Sequence, residues 1–324
     1  MAEPTAADGG SPAPRVVAVV VAWNRAELLG RCLDGLDGQT RRPDAVVVID
    51  NASTDDSPRV AAGHPAVTEV VTMPTNTGGA GGFASGIAVA CHRHGADLVW
   101  IMDDDTVPGP GALEALLEAR ERYPRPTAVL ASRADWRDGR EHPMNTPRAR
   151  FGATREQRRD AARLGCRPIR SASFVSILLD ARAVHDEGLP LSDYFLWNDD
   201  FEYTTRLLRF REGLYVPASR VAHLTERFGD TSADPGPRFR LEVRNKVWMF
   251  TRSPALAGWE RLLYGASTLR RWAATFRASS DRAALRGGLR RGLRDGLRRG
   301  PRRNARVLAG TPVEADVLAV EGGR

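Results

Sequence analysis

The stretch Asp97 to Pro108, DLVWIMDDDTVP, constrains this chain more than any other, because a short apolar run from Leu98 to Met102 ends abruptly in three carboxylates, Asp103, Asp104 and Asp105. An apolar run of that length reads as a buried strand, so the carboxylates fall at its C-terminal end. In an open α/β sheet that edge is where ligands bind. Three adjacent carboxylates repel one another. A divalent cation that favours hard oxygen ligands, Mg²⁺ or Mn²⁺, relieves the repulsion and can in turn hold a diphosphate. The competing reading is a solvated Asp-rich turn ahead of Pro108.

The preceding residues supply a frame for a nucleotide. Arg15 to Ala22 (RVVAVVVA) is continuously apolar, as a parallel strand covered on both faces is. Trp23, Asn24 and Arg25 turn the chain into a helix in which Leu28, Leu29, Cys32, Leu33 and Leu36 recur at helical spacing and which Gly38 stops. A second apolar strand, Ala45 to Ile49, ends in Asp50-Asn51-Ala52-Ser53-Thr54-Asp55. Strand, helix, strand is a βαβ unit. An acidic residue such as Asp50 at the tip of its second strand is well placed for a ribose or base.

Val67 to Thr72 reads as a third strand, followed by Asn76, Thr77 and five glycines between Gly78 and Gly86. Those glycines permit close approach of backbone to a ligand, or tight packing of a helix. The run lacks the Lys-Ser/Thr of a phosphate loop. Beyond the Asp triplet, Gly111 to Arg122 reads as a helix and Ala128 to Ala131 as a strand. Residues 133–170 read as an irregular, Arg-rich surface excursion over the active face, and Ser173 to Leu179 as a return to strand. A second acidic cluster, Asp199, Asp200 and Glu202, follows Trp197 at the start of a helix running to about Phe210. Carboxylates there serve either the helix dipole or chemistry. Gly213 to Ala218 reads as a final short strand, and His223 after it as either a packed residue or a ligand.

In its order, the set VVVAWNR, VVVIDNASTD, NTGGAGGFASG, MDDDT, WNDDFEYTTRL and a later His resembles the inverting family 2 glycosyltransferases of GT-A fold, over roughly residues 15 to 250. Within that family the likeness is to the actinobacterial galactofuranosyltransferases that start the cell-wall galactan, with rhamnosyltransferases next. The resemblance implies a Rossmann-like nucleotide-sugar domain with a mostly parallel sheet, and transfer from a UDP-sugar to a lipid-linked glycan. Carried over residue by residue, Asp50 contacts the uridine, Asn24 and Arg25 lie beside the nucleotide, and Asn76 and Gly79 line the donor, with Asp104 at the same site. Asp103, Asp105 and His223 hold Mn²⁺ or Mg²⁺. Asp200 is the catalytic base, ionised at neutral pH if its pKa is ordinary, with Asp199, Glu202 and Trp197 supporting it on the acceptor side. Arg244-Asn245 also matches, but where an aromatic cluster should precede it only Phe239 is present, so acceptor contacts there are not carried over.

Composition places the remainder. A chain of 324 residues, 42% hydrophobic and 27% charged, can bury a sizeable core, and no apolar run approaches the ~20 residues of a membrane span. Residues 1–14 lack the basic start and apolar core of a signal peptide and read as a disordered leader, so a cytoplasmic location is expected. Cys32, Cys91 and Cys166 have no ligand spacing and read as reduced. Net charge is +7, Lys246 is the only lysine, and the basic excess lies in the last quarter. A basic helical or disordered extension is therefore expected over residues 251–324. Its repeat LRGG LRRG LRDG LRRG sets Leu285, Leu289, Leu293 and Leu297 beside arginines, a marginal helix that anionic lipid at the inner membrane face can order. A solvated tail competes with that reading, and nucleic acid is the least favoured partner.

Overall fold

The computed structural model describes residues 13–225 and 235–322, so all but the last two residues of the expected leader lie outside it. The first half alternates as expected: β1 (Val16–Ala22), α1 (Ala26–Asp37), β2 (Ala45–Asp50), α2 (Ser57–Gly63), β3 (Glu69–Thr72), α3 (Gly78–His92) and β4 (Leu98–Asp103). Then come β5 (Thr106–Pro108), α4 (Ala112–Arg122), β6 (Thr127–Asp135), β7 (Arg148–Ala149), α5 (Arg155–Arg163), β8 (Arg167–Ser171) and β9 (Ser176–Asp180). The chain continues through α6 (Ala181–Glu187), α7 (Asp199–Leu207) and β10 (Glu212–His223). Five helices close it: α8 (Phe239–Thr251), α9 (Gly258–Ala278), α10 (Arg282–Arg298), α11 (Asn304–Val307) and α12 (Glu314–Glu321).

The ten strands form one sheet in the order β3-β2-β1-β4-β9-β6-β10-β8-β7, with β5 paired to β10. Strands β3, β2, β1 and β4 are parallel, β9 runs antiparallel between β4 and β6, and β6 pairs parallel with β10. The continuous apolarity of β1 has its cause here: Val17, Val19 and Val21 enter one core layer while Val16, Ala18 and Val20 enter the other. Each such fully buried valine contributes roughly 1.5–3 kcal/mol.

The glycine run proves to be the first half of α3. A Cβ on Gly82 would lie 2.5 Å from Val21 Cγ1, and one on Gly86 2.2 Å from Val19 Cγ1. These two glycines therefore serve tight packing of α3 on β1. Gly78, with φ of +71°, abuts the Phe195 backbone, whereas Gly79 has no neighbour to meet an added Cβ.

Three expectations are corrected by the packing. The final short strand is twelve residues long and carries His223 as its last member. Residues 133–170 are not an irregular surface excursion: α5 has a capping box at Thr154, and buried Arg170 pairs with Glu260 at 2.7 Å. Nor is the leucine repeat a free amphipathic stripe. Its glycines form the contact face, since Cβ atoms on Gly292 and Gly296 would come within 2.6 and 2.7 Å of Val243 and Val247 on α8. Leu285 is fully buried beneath Phe239 and Val243. Small residues at every fourth position let α10 settle on α8, and the packing offsets the ~1 kcal/mol that each glycine costs a helix. The last segment returns to the sheet: Leu308, Val313, Val317 and Val320 join the main core, and Asp316 on α12 binds Arg93 and His92 at the end of α3.

Candidate active site

The first cluster forms where β4 ends and β5 begins. β5 pairs antiparallel with the end of β10, placing His223 opposite Thr106 and donating Leu224 N–H to Asp105 O at 2.9 Å. That pairing brings together residues more than a hundred positions apart. One ligand atom from each of Asp103, Asp105 and His223 lies within 4.8 Å of the others.

The charges here are only partly balanced. Arg25 Nη1 reaches Asp104 Oδ1 at 3.1 Å and Asp105 Oδ2 at 2.7 Å, and Trp23 N–H donates to Asp104 Oδ2 at 2.9 Å. Burial pushes Asp104 up to about 6 despite Arg25, and burial together with Asp105 and Asp104 pushes half-buried Asp103 well above the usual carboxylate range. Burial acts the same way on Asp105, but His223 and Arg25 outweigh it and hold that carboxyl below its ordinary value.

Asp105 Oδ1 sits 3.2 Å from His223 Nε2 but accepts no aligned hydrogen bond, although it is buried. His223 Nδ1 meets Asn145 Oδ1 at 2.9 Å. With Nδ1–H donating to Asn145, Nε2 keeps its lone pair toward the carboxylates, the arrangement of a metal-ligating imidazole. An orphaned buried carboxylate oxygen, a second carboxylate and an oriented imidazole fit a divalent cation. Asn145 lies within residues 133–170, and no sequence signal marked it.

The residues expected to meet the nucleotide lie at the neighbouring strand ends and at the start of α3. Asp50 is buried; its Oδ1 accepts from Ser53 N–H at 3.1 Å, while Oδ2 has no hydrogen-bond partner. Asn24, at φ +54°, ties the two strand-end loops together by accepting from Thr54 N–H at 2.7 Å. Asn76 Oδ1 accepts Gly78 N–H at 2.7 Å and so helps to start α3, beside the open Cα of Gly79.

The second cluster rests on a different foundation. Phe195, Trp197 and Asn198 all have φ near +65°, a region that costs non-glycine residues of order 1–3 kcal/mol each. Asn245 Nδ2 holds this loop by donating to the carbonyls of Tyr194, Leu196 and Trp197 at 2.9–3.0 Å, and Arg244 donates to those of Asp193 and Tyr194. The pair seen as a family feature thus clamps the loop that opens α7. The same loop lies against the start of α3, with Ala80 N–H donating to Phe195 O at 3.3 Å. Trp197 is half-buried and Asp193 is taken up by Arg302.

Asp199 and Asp200 begin α7, but Glu202 is not brought alongside them. Its buried carboxylate binds Arg206 at 3.0 Å and Ser253 Oγ at 2.7 Å. Withdrawal from water and the neighbouring Asp200 push Asp199 up to about 8. Asp200 is also raised by desolvation, against the Phe201 N–H bond and the positive charges of Lys246 and Arg148. An ordinary pKa for Asp200 is therefore not what the structure gives. The sole lysine lies buried with Nζ 5.0 Å from the Phe201 ring centre, and loss of hydration lowers it to about 8.

The chain as a whole is similar to known proteins. Among curated relatives, a galactofuranosyltransferase GlfT1 of Mycobacterium tuberculosis is 43% identical over 111 residues, 33% of this chain and 36% of that one. The match thus spans about a third of the relative's length. An N-acetylglucosaminyl-diphospho-decaprenol L-rhamnosyltransferase of the same species is 27% identical over 267 residues, 75% of this chain and 85% of the relative. Among solved structures, S. aureus TarS 1-349 in complex with UDP-GlcNAc aligns with a TM-score of 0.60 at 16% identity, covering 95% of this chain and 88% of that one. GalNAc-T7 with UDP, GalNAc and Mn²⁺ aligns at a TM-score of 0.52 and 15% identity, over 76% of this chain and 53% of that one. At such identities the likeness carries the fold alone, an α/β GT-A architecture with a mostly parallel sheet. Glycosyl transferase family 2 matches residues 17–178, half of the sequence, and the chain belongs to that family.

Proposed function

We propose that the enzyme transfers galactofuranose from UDP-galactofuranose, with inversion, to a lipid-linked glycan. The observation that carries the reading is the convergence of Asp103, Asp105 and His223 at the strand ends, with a second carboxylate, Asp200, at the start of α7 and in no ion pair among the described residues. The first three are assigned to Mn²⁺ or Mg²⁺, Mn²⁺ being favoured because an imidazole joins oxygen ligands. Bound there, the cation supplies charge neutralisation to the departing diphosphate. Asp50 offers its unpartnered Oδ2 to the nucleoside, Asn24 and Arg25 border it, and Asn76 and Gly79 line the donor at the start of α3. Asp200 takes the proton of the acceptor hydroxyl as that oxygen bonds to the anomeric carbon and the UDP oxygen leaves from the opposite face.

The GlfT1 relative supports the donor, and the decaprenol-linked substrate named for the rhamnosyltransferase supports a lipid carrier. A dTDP-rhamnose-dependent reaction is the second reading, favoured by that relative's longer alignment. Attachment to the inner membrane face remains part of the proposal. No helix among the described residues is long and apolar enough to cross a membrane, and with α10 packed on α8 the attaching surface falls to the exposed leucines of α9. A panel of UDP- and dTDP-sugars with Mn²⁺ or Mg²⁺ and lipid-linked acceptors tests the reading. Turnover led by UDP-galactofuranose supports it, dTDP-rhamnose in first place moves the assignment to the second reading, and silence throughout leaves a non-catalytic GT-A scaffold.

A further inference from the structure

Between β7 and α9 the surface opens into a groove of about 570 Å³. Its walls carry Arg148, Phe151, Leu263, Tyr264, Ala266 and Arg270. On α9 the positions Leu263, Ala266 and Arg270 share one helical face, while Glu260, Tyr264 and Thr268 face inward and are buried. One wall residue links the groove to the start of α7. Arg148 lies 5.1 Å over the ring of Phe201, the residue after Asp200, and 5.9 Å over that of Tyr264, and its charge is felt by the Asp200 carboxylate. The outer end runs onto unusually bare apolar side chains: Phe151 is 71% exposed, Leu262 78% and Leu269 65%.

We infer that this groove is a binding site for an amphiphile that joins a phosphate-type anion to a hydrocarbon chain, lying on the acceptor side of Asp200. The inference rests on the reading of Asp200 as the base and adds to it where the carrier of the acceptor sits. Two guanidiniums at one groove, neither in an ion pair among the described residues, call for an anion, and an arginine donates to phosphate oxygens in a fixed fork. An anion alone does not need Phe151, Leu263 and Ala266 beside it. A hydrocarbon alone would leave the arginines to water. Only a ligand with both parts matches the lining. The geometry also sets direction: the anionic head rests between Arg148 and Arg270, the chain leaves along Leu263 toward Leu262 and Leu269, and a sugar on the head's far side extends toward Phe201 and Asp200.

The test uses the full chain in metal-free buffer, where the carboxylate cluster has no cation with which to capture a diphosphate, and farnesyl diphosphate as probe in calorimetry. The wild-type protein binds it, while Arg148→Gln/Arg270→Gln and Leu263→Asp each weaken it by at least about tenfold, the scale of a lost charge-assisted contact or a lost apolar wall. Farnesol and inorganic pyrophosphate, each lacking one part, bind at least about tenfold more weakly than the whole probe. Unchanged UDP binding with Mn²⁺ in the variants confirms that they are folded. Equal farnesyl diphosphate affinity in wild type and variants overturns the site, as does its displacement by UDP. Loss of phosphatidylglycerol vesicle binding with farnesyl diphosphate binding retained also overturns it, since the surface then serves membrane lipid. Groove binding that persists while the sugar panel shows no transfer refutes the proposed activity and leaves the site standing.

Discussion

The two carboxylate clusters are built from the same residue type by opposite means. Asp103 ends a central strand, Asp104 and Asp105 turn directly from it into β5, and Arg25 offsets part of their charge. Asp199 and Asp200 begin a helix after a loop rich in left-handed residues, which the Asn245 amide, bridging three carbonyls, and Arg244 hold in place. Their charges have no ion-pair partner among the described residues, so loss of hydration raises both. The comparison teaches a division of labour. A cluster with a partly balanced charge and an orphaned oxygen suits a permanent cation, whereas a desolvated carboxylate outside any ion pair among the described residues suits a proton in transit.

The largest effect that can break this contrast is on turnover. Asp200→Asn keeps the shape and removes the basicity, and transfer is expected to fall by at least about 10²-fold while UDP and Mn²⁺ still bind. Near-normal turnover in that variant, with loss in Asp199→Asn, would place the base one residue earlier. Next in size, Asn245→Ala leaves the part-buried carbonyls of Leu196 and Trp197 without their donor, while Tyr194 O keeps Arg244. A loss of about 1–3 kcal/mol in denaturant unfolding is expected, together with a lower kcat and little change in UDP affinity. If kcat stays at the wild-type level, the clamp does not position Asp200.

The smallest effect is a shift in pH. Asp199 holds its proton up to about 8 in the folded chain but loses it near 4 when unfolded. The folded state therefore binds the extra proton across that window, and stability contributed by this group declines as pH rises through it. Removing the charge in Asp199→Asn flattens that decline. Because Asp199 still carries its proton where Asp200 ionises, the same variant is expected to leave the rising limb of the kcat profile where it is. A limb that moves to lower pH would show that Asp199 is already charged there and repels Asp200.

Much of this was legible in the residues, for reasons that differ by region. Strands β1, β2 and β4 are covered on both faces, so their apolarity is continuous, and the carboxylates at their ends mark the site edge. His223 was nameable only through the family resemblance, because the short β5–β10 pairing that delivers it leaves no periodicity. The glycines of α3 and α10 misled in a common way: composition records missing side chains but not the neighbour that fills the space, Val21 and Val19 in one case and Val243 and Val247 in the other. Asn145, Lys246 and Arg148 stayed hidden because single polar residues acquire meaning only from what lies across from them. The buried Arg170–Glu260 pair shows the same for residues 133–170, where a high arginine content suggested surface and the partner lay ninety residues away.

The most direct measurement is the calorimetric titration of UDP with and without Mn²⁺ into the wild-type protein, Asp105→Ala and His223→Ala. If Asp103, Asp105 and His223 form one cation site facing the donor, Mn²⁺ strengthens UDP binding to the wild-type protein, and each variant loses at least about tenfold of that strengthening, with metal-free UDP affinity unchanged. Mn²⁺-dependent UDP affinity that stays the same in both variants would contradict the site, however well the three side chains converge.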